Sequence, residues 1–215
     1  MAEDVYLNPT DAAKAESEQR ARTRQAMRLA LRERRLQLPP RERIEAASEV
    51  AGLLRPVLSG IAGRIAGYWA VRGELPLHAV QSSLEAPQSW CLPLLHDDGR
   101  LRFAEWRAGQ ALAPNRFGVP EPVDSYHLEA SALAVVLVPL LAFGSEGQRL
   151  GQGGGWYDRT FAPNIAAVPL LIGVGYAWQH SEDVHAETWD VPLDAVVTER
   201  AFHRFSKRMT DMSNG

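Results

Sequence analysis

The residues best suited to chemistry lie between Pro139 and Arg159. Gly147, Gly151, Gly153, Gly154 and Gly155 put five glycines within nine positions, interrupted by Arg149 and followed at once by Trp156, Tyr157, Asp158 and Arg159. Glycines admit positive φ and carry no side chain, so neighbouring backbone N–H groups can converge on an anion. Arg149 offers a planar fork of donors, and a helix opening after Gly155 would add its partial positive charge. A phosphate suits such a loop. The common nucleotide motifs do not describe it: no glycine precedes Lys-Ser or Lys-Thr, and the third glycine of the dinucleotide fingerprint is missing. A solvated glycine linker, the alternative, seldom carries Trp, Tyr, Asp and Arg directly behind its glycines.

A second charged set lies upstream. Residues 20 to 43 hold nine arginines against Glu33 and Glu42, although the whole chain carries a net charge of −3. At about 100° per residue, Arg20, Arg24, Arg28, Arg32 and Arg35 share one arc of a helix predicted over residues 20–38, while Ala26, Met27, Ala30 and Leu31 share another. Arg34 fits neither arc. Such a stripe can meet phosphate groups, nucleic acid or only water. Elsewhere, His180 and His185 lack the spacing of a zinc-binding helix and are expected at the surface, and no Gly-x-Ser-x-Gly elbow is present.

The elements that must position these residues follow from the pattern. The 215 residues, 46% hydrophobic and 23% charged, match an ordinary globular domain rather than a coiled coil or a disordered chain. The longest apolar run, residues 132–143, is well short of the roughly 18 to 20 needed to span a bilayer. No membrane partner and no secretory signal are expected, and the lone Cys91, in an apolar strand, is expected to fill core in a reducing cytoplasm. After the arginine helix, Pro39 and Pro40 stop the chain, and a second helix is predicted over residues 41–58. A strand at 64–71, a helix at 75–84 and a hairpin of strands 90–95 and 101–106 follow. Residues 133–138 are continuously apolar, as a strand buried on both faces would be, and should form the sheet centre. The glycine-rich loop at 144–155, a helix at 157–162 and strands at 170–176 and 195–198 complete the series. This alternation predicts an α/β three-layer sandwich, a central mostly parallel sheet flanked by helices. Residues 1–19 are expected as a flexible leader, 20–205 as one catalytic domain and 206–215 as a flexible tail.

The run from Arg149 to Arg159 resembles the signature of the 5-formyltetrahydrofolate cyclo-ligase family, also called 5,10-methenyltetrahydrofolate synthetase. The arginine helix at 24–35, the segment from Tyr68 to Glu74, the segment Phe117 to Pro122 with Glu121, and residues Asp190 to Thr198 with Asp194 resemble the same family in the same order, so the likeness covers about residues 22–200. It implies ATP-dependent cyclisation of 5-formyltetrahydrofolate to 5,10-methenyltetrahydrofolate, with ADP and phosphate released and magnesium required. It also implies that Arg24, Arg28 and Arg32 meet ATP phosphates and that Arg149, Gly151, Gly153, Gly154, Gly155, Trp156 and Tyr157 form the nucleotide and substrate loop. Arg28, Arg149 and Tyr157 are then the expected catalytic residues. Glu74, with Trp156 and Tyr157, is expected at the folate, and Asp158 and Asp190 at magnesium. The family commonly has lysine at Arg24, tyrosine or phenylalanine at Trp156, and histidine at Trp189. A cytoplasmic monomer or weak dimer without nucleic acid is expected. Two rival readings stay open at this stage: a folate-binding relative without turnover, and a nucleic-acid-binding protein using the arginine helix, which lacks interleaved aromatics.

Overall fold

A computed structural model describes residues 9–123, 125–162 and 168–211. In chain order it contains α1 (Pro9–Leu36), α2 (Pro40–Leu58), β1 (Arg64–Ala66), α3 (His78–Ser82), β2 (Ser89–Leu95), β3 (Leu101–Glu105), β4 (Leu112–Pro114) and β5 (Pro120–Pro122). Then come β6 (Val135–Pro139), β7 (Ala142–Phe143), β8 (Arg149–Leu150), α4 (Trp156–Phe161), β9 (Leu170–Val174), β10 (Ala195–Val197), β11 (Phe202–Arg204) and α5 (Lys207–Asp211).

Seven strands form one sheet in the order β11-β10-β9-β6-β1-β2-β3. The pairs β10/β9, β9/β6, β6/β1 and β1/β2 are parallel, and β2/β3 and β10/β11 add antiparallel strands at the two edges. As its unbroken apolar sequence predicts, β6 is the middle strand, and its side chains alternate between two cores. Val135 and Leu137 join α2 residues Ala47, Val50 and Leu54 on one face. Val136 and Val138 join Phe103, Phe161 and Leu193 on the other. The expected α/β class with a central, mostly parallel sheet is what the chain forms. Among the described residues, no helix is long and apolar enough to cross a membrane.

Several boundaries differ from expectation for physical reasons. The first strand stops at Ala66 instead of Val71; Gly67 N–H still donates to Cys91 O at 3.0 Å, and the Trp90 ring crosses Gly67 so closely that an added Cβ would sit 2.1 Å from it. The helix expected at 75–84 starts at His78, since Pro76 disfavours helical geometry at Leu75. The loop expected at 144–155 contains a small hairpin: Leu141 N–H donates to Leu150 O at 2.8 Å and Gly144 N–H to Gln148 O at 2.9 Å, which places Arg149 in a strand. Gly144 to Gln148 form the turn of this hairpin, and Gly151 to Gly155 the loop that leads into α4. α1 is helical from Pro9, within the expected leader, whose residues 1–8 lie outside the described part. α5 occupies residues 207–211 of the expected tail and seats Met209, 1% exposed, in the first core; residues 212–215 lie outside the described part.

α1 docks through Met27 and Leu31 onto Ala142, Leu150 and Val184, so it rides on the β7–β8 hairpin. Arg34, which fits neither arc of the helix, lies over the Trp178 ring at 4.3 Å, and Trp178 in turn stacks on Tyr176.

Candidate active site

Central strand β6 delivers the chain to the carboxyl edge of the sheet, and the β7–β8 hairpin carries it back to the glycine loop that opens α4. Ligands of open α/β sheets bind at such an edge. A cleft of about 990 Å³ opens here, lined by the loop, the start of α4, Arg24 and Arg28 of α1, and residues 188–192. Gly153 and Gly155 hold φ of 96° and 64°, which turn the loop under α1. A side chain at Gly155 would be strained by this positive φ and would displace the Arg159 guanidinium.

The arginines of α1 descend onto this loop in sequence. Arg24 Nη1 donates to His185 O at 2.9 Å and its Nη2 to Asp190 Oδ2 at 3.1 Å. Arg28 Nε donates to Gly151 O at 3.0 Å. Arg32 grips Gln152 twice, Nε to its side-chain oxygen at 2.9 Å and Nη2 to its backbone oxygen at 2.6 Å. The Arg28 Nη groups have no protein acceptor among the described residues. Burial, then the neighbouring Arg24 and Arg32, pulls the Arg28 guanidinium below the usual arginine value, with Asp190 opposing. Arg28 thus stands between Arg24 and Arg32, with Asp190 the carboxylate that acts on it. Such a field attracts a polyanion.

Arg149 and Asp158, which the family resemblance assigns to the nucleotide loop and to magnesium, are paired with each other. Arg149 is 5% exposed; its Nη2 donates to Asp158 Oδ1 and its Nη1 to Val191 O. Val191 N–H also donates to Asp158 Oδ1, at 3.1 Å. The fork therefore ties β8 to α4 and to the 190 segment, leaving only its other N–H groups toward the cleft. Asp190 Oδ2 accepts from Glu187 N–H at 3.0 Å as well as from Arg24. Asp158 Oδ2 and Asp190 Oδ1 have no protein hydrogen bond among the described residues, and both residues line the cleft.

Glu74 is 8% exposed and lies behind the loop rather than among the residues lining the cleft. Its Oε1 accepts from Gln152 Nε2 at 3.2 Å and stands 3.6 Å from Arg35 Nη2, and its Oε2 accepts from Val71 N–H at 3.1 Å. Burial raises its carboxyl above the ordinary value, against the pull of Arg35 and these hydrogen bonds. Arg35, 1% exposed, also donates to Arg72 O at 3.0 Å and Leu140 O at 3.4 Å. Sequence reasoning set Arg35 on the phosphate arc and overlooked Gln152, the residue that joins Arg32 to Glu74. The only sequence signal for Gln152 is its place between Gly151 and Gly153.

The aromatic side of the site is built around Trp156. Its ring meets Phe117 edge-on at 6.4 Å, and the Arg116 and Arg159 guanidinium groups approach it at 5.3 and 5.2 Å. Tyr157 stacks on Phe161 at 6.3 Å. Burial, with Glu74 adding to it, lifts the Tyr157 phenol well above its usual value, so it is a proton-bearing donor at neutral pH. Cys91 is buried in β2, where burial pushes its thiol up to about 12, in keeping with core filling.

Comparison with known proteins identifies the family. Residues 20–199 match the model of the 5-formyltetrahydrofolate cyclo-ligase family. The 5-formyltetrahydrofolate cyclo-ligase of Escherichia coli K12 is 34% identical over 176 residues, covering 78% of this chain and 96% of that one. The Haemophilus influenzae protein of the same name is 33% identical over 178 residues, covering 79% and 94%. The NMR structure of Aquifex aeolicus 5,10-methenyltetrahydrofolate synthetase superposes with a TM-score of 0.74 at 26% identity, covering 86% of this chain and 93% of that one. On sequence and fold together, the chain belongs to the 5-formyltetrahydrofolate cyclo-ligase family and is a ligase of folate one-carbon metabolism.

Proposed function

We propose that the chain converts 5-formyltetrahydrofolate and ATP to 5,10-methenyltetrahydrofolate, ADP and phosphate. The observation that carries the ATP half is the convergence of Arg24 and Arg28 on a glycine loop in one cleft, with Arg32 bonded to the same loop and the Arg28 Nη groups unmatched among the described residues. A formamide oxygen is a poor leaving group, and phosphorylation makes it a good one. The formyl oxygen forms a bond to the γ-phosphorus as the bond to ADP breaks. Nitrogen 10 then bonds the formyl carbon, the carbon–oxygen bond to phosphate breaks, and the proton of nitrogen 10 passes to solvent. Positioning and charge neutralisation do most of such work.

Each residue takes a part that its surroundings permit. Arg24 and Arg28 draw the triphosphate onto the loop, and Arg32 holds the loop through Gln152. Arg149 fixes Asp158 and the 190 segment, and offers its unused N–H groups to the transferring phosphoryl group. Tyr157, protonated, can donate to the formyl or phosphate oxygen. Trp156 and Phe117 supply flat apolar faces for the folate rings. Glu74 can accept pterin N–H groups once Gln152 releases it.

Asp158 Oδ2 and Asp190 Oδ1 are hard oxygen donors, and no cluster of three His, Cys, Asp or Glu able to hold a metal occurs among the described residues. Two carboxylates completed by phosphate oxygens and waters suit magnesium rather than a metal caged wholly by protein. Bound there, magnesium would neutralise phosphate charge. A nucleic-acid partner is disfavoured because α1 turns Arg24, Arg28 and Arg32 onto its own chain. The same reading keeps the enzyme in the cytoplasm, as a monomer or weak dimer. The test is absorbance of the methenyl product from purified protein and fresh 5-formyltetrahydrofolate with magnesium. Growth that requires ATP is expected, and flat traces with and without ATP would refute the reading.

A further inference from the structure

A second hydrogen-bonded cluster, centred on Asp194, lines the same cleft without touching the arginine ladder. Asp194 Oδ1 accepts from Ser206 Oγ at 2.6 Å and Oδ2 from Leu171 N–H at 2.9 Å. Arg208 Nη1 stands 3.4 Å from Oδ2 and 3.5 Å from Pro169 O, and Arg208 Nη2 donates to Val168 O at 2.7 Å. Arg208 belongs to α5, beyond residue 199, where the match to the family model ends. It is held in place, because the next residue, Met209, is 1% exposed in the core. Its side chain is nevertheless 48% exposed, and the cleft is one of the surfaces it faces.

The electrostatics of the two clusters differ. Around Arg28, positive charge outnumbers negative, whereas Arg208 is balanced by Asp194. Nearby cleft walls are apolar: Phe161, Val168, Leu171 and Pro139. A neutral, donor-bearing pair between apolar walls is a poor place for phosphates. It suits an uncharged flat heterocycle with hydrogen-bonding edges.

We infer that Arg208, positioned by Asp194, forms the subsite for the nucleoside end of ATP, so that the C-terminal helix of this chain is part of its nucleotide site. The inference rests on the ATP reading above. With the phosphates on the loop and the folate against Trp156, the purine and ribose lie toward Leu171 and Arg208. The Arg208 Nε–H has no protein acceptor among the described residues and is available to a ring nitrogen or a ribose hydroxyl, while the guanidinium plane can cover the base.

The experiment compares wild type with Arg208→Met, which keeps the side-chain bulk, and Arg208→Lys, which keeps the charge. In Arg208→Met, KM for ATP should rise ~10-fold, about the loss of one charge-assisted contact, with KM for folate unchanged and kcat within about twofold. Arg208→Lys should fall between the two. Adenosine should compete with ATP in wild type and lose that competition in Arg208→Met, while inorganic tripolyphosphate inhibits both equally. An ATP KM within twofold of wild type in both variants would overturn the inference. So would a rise confined to folate KM, or weaker inhibition by tripolyphosphate, which would make Arg208 a folate or phosphate ligand. Should Arg208→Met fail to fold, Arg208→Lys and the adenosine competition in wild type decide the matter alone. Product formation by wild type without ATP would instead defeat the ATP reading itself.

Discussion

Arg28 and Arg35 stand two turns apart on one face of α1, yet their surroundings give them opposite duties. Arg28 makes one bond, to Gly151 O, beside two further arginines at the rim of the cleft. Arg35 is sealed at 1% exposure between two backbone carbonyls and Glu74. A guanidinium whose charge is unanswered and reachable is a ligand site, and one whose charge is answered and buried is a fastener. Sequence spacing cannot separate the two, because both lie on the same arc.

The comparison is broken most forcefully at the buried end. Arg35→Ala leaves the Glu74 carboxylate buried without its cation and should cost about 3–5 kcal/mol, read as a lower denaturant midpoint with an unchanged slope. A midpoint equal to wild type would mean that Arg35 is no fastener. At the cleft, Asp158→Asn preserves shape and an acceptor for Val191 N–H but removes the charge facing Arg149. It should raise the magnesium needed for half activity and lower turnover while folate binding persists; a magnesium curve that overlays wild type would remove Asp158 from the metal. Trp156→Ala should weaken folate binding by about 0.5–1.5 kcal/mol beyond the area lost, whereas Trp156→Tyr keeps a ring and should retain activity. Equal folate affinity in wild type and Trp156→Ala would make the ring a packing group.

The smallest effect concerns pH. Burial raises the folded-state pKa of Glu74, so the folded chain holds this proton more firmly than the unfolded one. Stability linked to Glu74 is then full below its unfolded pKa and declines as pH rises through the unfolded and then the raised folded value. Glu74→Gln mimics the protonated form and should gain in melting temperature relative to wild type as pH rises across that window. A difference that stays constant with pH would show that Glu74 titrates as an ordinary carboxylate.

Much of this architecture was legible in the letters. Residues 135–139 are apolar without interruption, and only a strand covered on both faces needs that, so the sheet centre was evident. The hairpin of β2 and β3 was marked by its turn at Asp97, Asp98 and Gly99. The β7–β8 hairpin was not, because two-residue strands are too short to show alternation. The role of Arg149 was hidden for another reason: its partners are a carboxylate nine positions on and the carbonyl of Val191, both set by tertiary folding. The fastening role of Arg35 is not legible because a charged residue on a basic arc suggests exposure, and its partner Glu74 lies 39 positions away. Arg208 carries no signal in a polar C-terminal stretch whose buried anchor, Met209, has no periodic pattern around it.

The central claim is that the open end of the arginine ladder holds the ATP phosphates, and an ATP titration of Arg28→Ala, with its unfolding midpoint measured in parallel, tests it most directly. The prediction is an ATP KM raised ~10-fold or more, as for one lost charge-assisted contact, with folate KM and the unfolding midpoint close to wild type. An ATP curve that matches wild type would contradict it and return the ladder to the role of a clamp on its own loop.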